Sequence, residues 1–135
     1  MSRAFTLLAA LLALLAVLAG TFSAHALRQR LSANDLALWD TASQYHMYHA
    51  LALLGIAWAS DRFRSRAVAA GGWLFAAGIA LFSGSLYVLA LSQTIWGQRQ
   101  GWLGAITPLG GLCFLAGWLC LLVGAFLSPP ANRAR

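Results

Sequence analysis

The chain has 135 residues, of which 61% are hydrophobic and only 9% are charged, and its net charge is +6. Soluble domains carry about a quarter of charged residues, and a soluble domain of this size cannot bury so much apolar surface. The composition therefore excludes an ordinary soluble domain. All the basic residues are arginines that flank apolar stretches, without an aromatic-rich basic patch, so we expect no binding of nucleic acid.

Four long stretches of the sequence contain no charged residue. Each can supply the roughly 20 apolar residues that cross a ~30 Å hydrocarbon core as a helix. They predict an all-α fold, an integral membrane four-helix bundle that forms a single domain over residues 1–135. The expected helices cover about residues 4–26, 42–59, 68–91 and 103–127.

The first expected helix is followed by a loop that contains the sequence Ser-Ala-Asn-Asp from Ser32 to Asp35. This pattern resembles a capping box, with aspartate in place of the usual glutamate or glutamine. It predicts a short interfacial helix before the second membrane helix, with Trp39 at the level of the headgroups.

The other connections are short. An arginine-rich turn at 61–66 follows the second helix, a polar loop at 92–101 follows the third, and Pro129 and Pro130 follow the fourth. Short loops join neighbouring helices that run in opposite directions, so we expect an up-down-up-down bundle. No room remains for a soluble domain.

The distribution of arginine predicts the orientation. The N-terminal end, the second loop and the C-terminal tail carry six arginines, and the first and third loops carry three. The positive-inside rule therefore places both termini in the cytoplasm. An alternative is a signal peptide cleaved after the Ala24-His25-Ala26 motif, but the apolar run of about 20 residues is longer than the usual 7–15.

Small residues recur on one face of the expected helices. Helices in a membrane approach closely where such residues line the contact, so we expect these positions to pack the helices together. Cys113 and Cys120 are interpreted as part of this small-residue face, because seven helical residues separate them by ~10 Å, too far for a disulfide. The expected packing residues are Ala13, Gly20, Gly78, Gly110, Gly117 and Gly124.

Five strings of the sequence, in this order and spacing, resemble the YgdD-like family of small inner-membrane proteins. The resemblance covers nearly the whole chain. The strings are GTFSAHAL from Gly20, YHMYHALAL from Tyr45, LFSGSLYVLAL from Leu81, ITPLGG from Ile106 and FLAGW from Phe114.

The resemblance implies four helices in a bacterial inner membrane and no known activity. The family pattern G-A-F-G-A-H is matched with Thr21 in place of alanine and Ser23 in place of the second glycine. Many relatives carry glutamine at the position of His46. The resemblance thus supports the fold and leaves the activity open.

Polar side chains of all four expected helices should converge in the outer half of the bundle. Polar groups in a bilayer are costly, so such a cluster is a candidate site. Its metal, if any, cannot be named from the sequence. The cluster consists of His25, His46, His49, Ser83, Ser85 and Thr107.

Three interpretations of this cluster remain open. The first is structural, with hydrogen bonds between helices in a non-enzymatic protein that packs against other membrane proteins or itself. The second is a metal or haem site, in which imidazoles are the ligands and Asp40 orients one of them. The third is a quinone site or a small oligomeric transporter, against which stands the lack of internal repeats. No motif of a soluble enzyme occurs, so we expect neither catalysis nor a resident cofactor.

Overall fold

A computed structural model describes residues 1–128, and these form four helices and no strand. Helix α1 covers Ser2–Leu27, α2 covers Ala33–Phe63, α3 covers Arg66–Trp96 and α4 covers Leu103–Leu127. Three of them, α1, α3 and α4, are long and apolar enough to cross a membrane. The predicted all-α class is therefore confirmed. Pro129 and Pro130, expected to follow the fourth helix, and the arginines of the tail lie outside the described residues.

Helix α2 is longer than the sequence predicted. It begins at Ala33 rather than near residue 42, because the side chain of Ser32 accepts a hydrogen bond from the backbone N–H of Asp35 at 3.1 Å. The expectation of a separate interfacial helix was wrong: no glycine or proline interrupts the chain between this cap and Gly55, so one helix continues through Trp39.

Two of the helices contain a π-helical turn. In α1 it covers Ser23–Leu27, and in α3 it covers Ile79–Ser83. A π turn inserts one extra residue into a helix and shifts the faces on either side of it relative to each other. In α3 the shift lies where the helix carries its serines.

Helices α3 and α4 touch backbone to backbone. A Cβ atom added at Gly110 would overlap the backbone nitrogen of Phe82, and one added at Gly117 would lie 2.6 Å from the ring of Phe75. Gly124, near the end of α4, packs in the same way on Val68, near the start of α3. Only glycine permits this approach, which fixes how the two helices meet.

Helix α1 lies mainly against α2. The hydroxyl of Ser23 donates to the carboxylate of Asp40 at 2.6 Å, and the indole N–H of Trp39 donates to the carbonyl oxygen of Ala19 at 2.8 Å. At the other end of α1, the ring of Phe5 fits against Gly72 of α3. The rest of α1 is largely exposed.

Contacts at the two ends of the bundle show which segments of the chain lie together. At one end, Ser128 after α4 donates to the carbonyl oxygen of Phe63 at 3.3 Å, and Met1 lies beside Ser60. At the other end, the guanidinium of Arg99 lies 2.8 Å from the carboxylate of Asp35. The start of α1, the α2–α3 turn and the end of α4 thus share one end.

Candidate functional site

His49 is the centre of the polar cluster in the structure. It lies in the middle of α2 and is buried, with 6% of its surface exposed. Its Nδ1 lies 2.8 Å from the carbonyl oxygen of Tyr45, one turn earlier, and can only donate to that oxygen. Its Nε2 then accepts from the indole N–H of Trp118 at 3.4 Å. Both ring nitrogens are therefore engaged within the protein.

Aromatic rings enclose the imidazole of His49. Phe114 of α4 is stacked on it with ring centres 3.5 Å apart and planes 8° apart, and Phe75 of α3 lies at 5.4 Å. Tyr45 continues the stack toward Phe82, 4.8 Å away. We call this group the aromatic cluster; its members are Tyr45, His49, Phe75, Phe82, Phe114 and Trp118.

His46 lies one turn before His49 and meets a different neighbour. Its Nδ1 lies 3.4 Å from the hydroxyl of Tyr87 on α3. Its Nε2 is buried and has no hydrogen-bond partner among residues 1–128. His46 thus keeps one nitrogen free in the interior of the bundle.

Two serines of α3, Ser83 and Ser85, also differ in their hydrogen-bond partners. The hydroxyls of Ser85 and Thr107 form a hydrogen bond of 2.8 Å that joins α3 to α4. Ser83, in the π turn, is fully buried, and within the described part of the chain its hydroxyl has no partner. It lies four residues before Tyr87, on the face of α3 that meets α2.

His25 is placed apart from the other two histidines. It is exposed on the π turn at the end of α1, and no hydrogen bond within residues 1–128 joins it to His46 or His49. In this part of the chain no three side chains of histidine, cysteine, aspartate or glutamate lie close enough to hold a metal ion. The cysteines are free, and Cys120 lies near Gly71.

The small residues expected in helix contacts fall into two groups. Gly78, Gly110, Gly117 and Gly124 lie where an added Cβ would overlap a neighbour. Ala13 and Gly20 on α1 are only half-buried, and a Cβ at Gly20 would meet nothing within 4 Å.

Five residues of the aromatic cluster were missed by reasoning from the sequence, namely Tyr45, Phe75, Phe82, Phe114 and Trp118. The signal was present for two pairs: Tyr45 and His49, and likewise Phe114 and Trp118, are spaced by four residues, so each pair shares one helix face. The spacing alone could not predict that these faces of α2 and α4 lie against each other.

The aromatic cluster borders a shallow groove of about 480 Å³ on the outside of the bundle. Tyr45 and Trp118 are 40% and 48% exposed there. Pro108 and Gly111 of α4 complete one wall. No charged side chain of residues 1–128 lines the groove, so it favours an apolar or weakly polar occupant.

Comparisons with known proteins identify relatives over nearly the whole chain. A family model described as "Protein of unknown function (DUF423)" matches residues 19–111. The UPF0382 membrane protein YwdK of Bacillus subtilis is 45% identical over 124 residues, which cover 91% of this chain and 96% of that protein. A UPF0382 membrane protein of Staphylococcus saprophyticus is 47% identical, over 92% of this chain and 98% of its own length. No solved structure matches the chain.

Proposed function

This chain belongs to the DUF423 family of proteins of unknown function, and we propose that it is a non-enzymatic component of the bacterial inner membrane. Its role would be to pack against lipid and other membrane proteins, or against further copies of itself. Its relatives carry names that describe membrane proteins and no activity.

The observation that carries this proposal is that both ring nitrogens of His49 already have hydrogen-bond partners within the protein. A metal or haem ligand needs a nitrogen lone pair that is free for the metal. The lone pair of Nε2 faces the indole N–H of Trp118, and Nδ1 is used on Tyr45. The side chain is also buried, with 6% of its surface exposed and Phe114 stacked on one face of the ring. The side chain therefore fits a structural role better than a ligand role.

The contacts at the two ends support an up-down-up-down arrangement with both termini in the cytoplasm. Met1, the α2–α3 turn and Ser128 meet at one end, where Arg62, Arg64 and Arg66 are concentrated. Basic residues favour the cytoplasmic side. In this arrangement α2 is the fourth membrane helix, with the polar residues of its first turns supported by contacts to α1 and α3.

A second candidate function is the binding of a lipophilic ring such as a quinone in the groove beside the aromatic cluster. The observation that favours it is the exposed phenol of Tyr45, whose ring lies 4.8 Å from Phe82 in an uncharged wall. A phenol can donate to a quinone carbonyl, and flat rings stack on aromatic side chains. The groove is open on one side, which makes this the weaker candidate.

Native mass spectrometry of the protein, gently extracted from its own membrane at natural abundance, distinguishes these functions. The structural proposal predicts the bare chain, or the chain with lipid and other protein subunits. A stoichiometric mass excess that matches haem or a metal would contradict it. An excess that matches a quinone, lost in Tyr45→Phe, would favour the second candidate instead.

A further inference from the structure

The end of the bundle that joins α2 to α3 contains a cavity of about 500 Å³. Its walls come from the start of α1, the last turn of α2 and the first turn of α3. The polar residues that line it are Ser60, Asp61, Arg64, Ser65 and Arg66. We call it the basic cavity.

Among residues 1–128, the arginines of the basic cavity outnumber its acidic residues. Two arginines, Arg64 and Arg66, line it together with one acidic residue, Asp61. Within residues 1–128 neither arginine forms an ion pair, whereas Arg99 at the opposite end pairs with Asp35 at 2.8 Å. The cavity therefore favours an anion.

The backbone of Arg64 adopts a conformation that disfavours arginine. With φ of 48° and ψ of 30°, it is left-handed at the end of α2, and among residues 1–128 no other non-glycine residue has a positive φ. Glycine is the usual residue at this position because it has no Cβ to strain. Arginine adds nothing to the chain reversal itself, so the reason for arginine at this position lies in its side chain.

The arginines that line the cavity suit a phosphate in particular. Guanidinium groups hold phosphate oxygens through paired, charge-assisted hydrogen bonds. Met1 and Ala69 provide an apolar wall on the side of the helices.

We propose that the basic cavity binds the phosphate of an anionic phospholipid. A free phosphate shares this chemistry, but the lipid fits the position better, since the cavity opens at the ends of membrane helices beside apolar side chains. Basic pockets between helices on the cytoplasmic side suit anionic headgroups. This binding goes beyond a packing role, because it gives the protein a preference for one class of lipid.

The test is a lipid titration of the full chain in neutral detergent, followed by native mass spectrometry. Dioleoyl-phosphatidylglycerol should bind more tightly than dioleoyl-phosphatidylcholine, which has no net charge. Arg64→Gly and Arg66→Gln should each weaken the binding of phosphatidylglycerol about fivefold. Arg64→Gly should at the same time keep or raise the melting temperature, because glycine relieves the left-handed backbone. That combination separates loss of the site from loss of the fold.

Matched controls lie at the other end of the bundle. Arg28→Gln and Arg30→Gln remove the same charge from exposed positions and should leave phosphatidylglycerol binding unchanged. The proposal is overturned if these controls weaken binding as much as Arg64→Gly does, since the attraction is then unspecific. It is also overturned if Arg64→Gly has no effect, or if millimolar glycerol 3-phosphate displaces the lipid and so identifies a site for free phosphate.

Discussion

Two serines of α3 show that residues of the same type can have different hydrogen-bond environments in the interior. Ser85 uses its hydroxyl on Thr107 of α4, whereas Ser83, two residues earlier, is fully buried and has no partner among the described residues. A hydrogen bond between membrane helices contributes about 0.6 kcal/mol on average, and a buried polar group without one costs about 1–3 kcal/mol. Equal residue types therefore have opposite effects on stability.

We predict that Ser85→Ala lowers the free energy of unfolding by about 0.6 kcal/mol. Ser83→Ala should leave it unchanged or raise it by about 1 kcal/mol, because the substitution removes an unpaired hydroxyl from the core. Unfolding in mixed micelles with increasing dodecyl sulfate measures both variants. An equal loss in the two variants would show that the hydroxyl of Ser83 has a partner, such as a buried water.

The two buried histidines, His46 and His49, also differ in their hydrogen-bond partners. They are three residues apart and equally buried, yet His49 has both nitrogens engaged, whereas His46 Nε2 has no partner among residues 1–128. Their spacing of three residues lets both lie on one face of α2. Which neighbour each imidazole meets depends on α3 and α4, and no local pattern carries that information.

At the scale of the helices, the number of elements and most of their extent could be predicted from uncharged apolar runs. The length of α2 could not. Its first segment, from Ala33 to Asp40, contains two aspartates and was expected to be a separate interfacial helix. Hydropathy alone does not show that this segment continues into α2, where Trp39 bonds to Ala19 and Asp40 accepts from Ser23. The π turns have no sequence signal that we can name.

The glycines of α4 were chosen from their spacing, and the structure distinguishes among them by what each one touches. Gly110 faces the backbone of Phe82, while Gly111, the next residue, has its nearest neighbour, a ring carbon of Phe82, at 4.0 Å. Spacing indicates which residues share a helix face, but only the neighbouring helix determines which position has no room for a methyl group.

We predict that Gly110→Ala destabilises the bundle by about 1–3 kcal/mol, because the new methyl group overlaps backbone that cannot move away. Gly111→Ala is the matched control on the same helix and should be neutral or slightly stabilising, since alanine favours a helix. Melting temperatures in detergent compare the two variants. A Gly110→Ala variant as stable as wild type would mean that α3 and α4 pack less closely than described.

At the scale of the whole molecule, the membrane explains why α1 and α4 can expose so much apolar surface. Leu11 and Leu15 of α1 and Leu115, Leu122 and Phe126 of α4 are all exposed, and Phe126 reaches 85%. In water this surface would cause aggregation, whereas lipid tails solvate it. The buried polar side chains instead lie between the helices, mostly on α2 and α3.

The membrane topology of the whole molecule therefore depends on the position of helix α2. It contributes both buried histidines and contacts all three other helices, yet it is the one helix of residues 1–128 that is not apolar enough to count as a membrane span. We infer that its neighbours shield its polar face, so that it crosses the membrane inside the bundle.

Cysteine accessibility across the membrane tests this inference most directly. In a chain carrying Cys113→Ala and Cys120→Ala, single substitutions Gln29→Cys, Arg62→Cys and Gln98→Cys place one thiol at each exposed connection. With intact spheroplasts, we predict that an impermeant maleimide labels Gln29→Cys and Gln98→Cys, and labels Arg62→Cys only after the membrane is opened. If Gln29→Cys and Arg62→Cys react from the same side, α2 does not cross the membrane, and the four-helix topology is wrong.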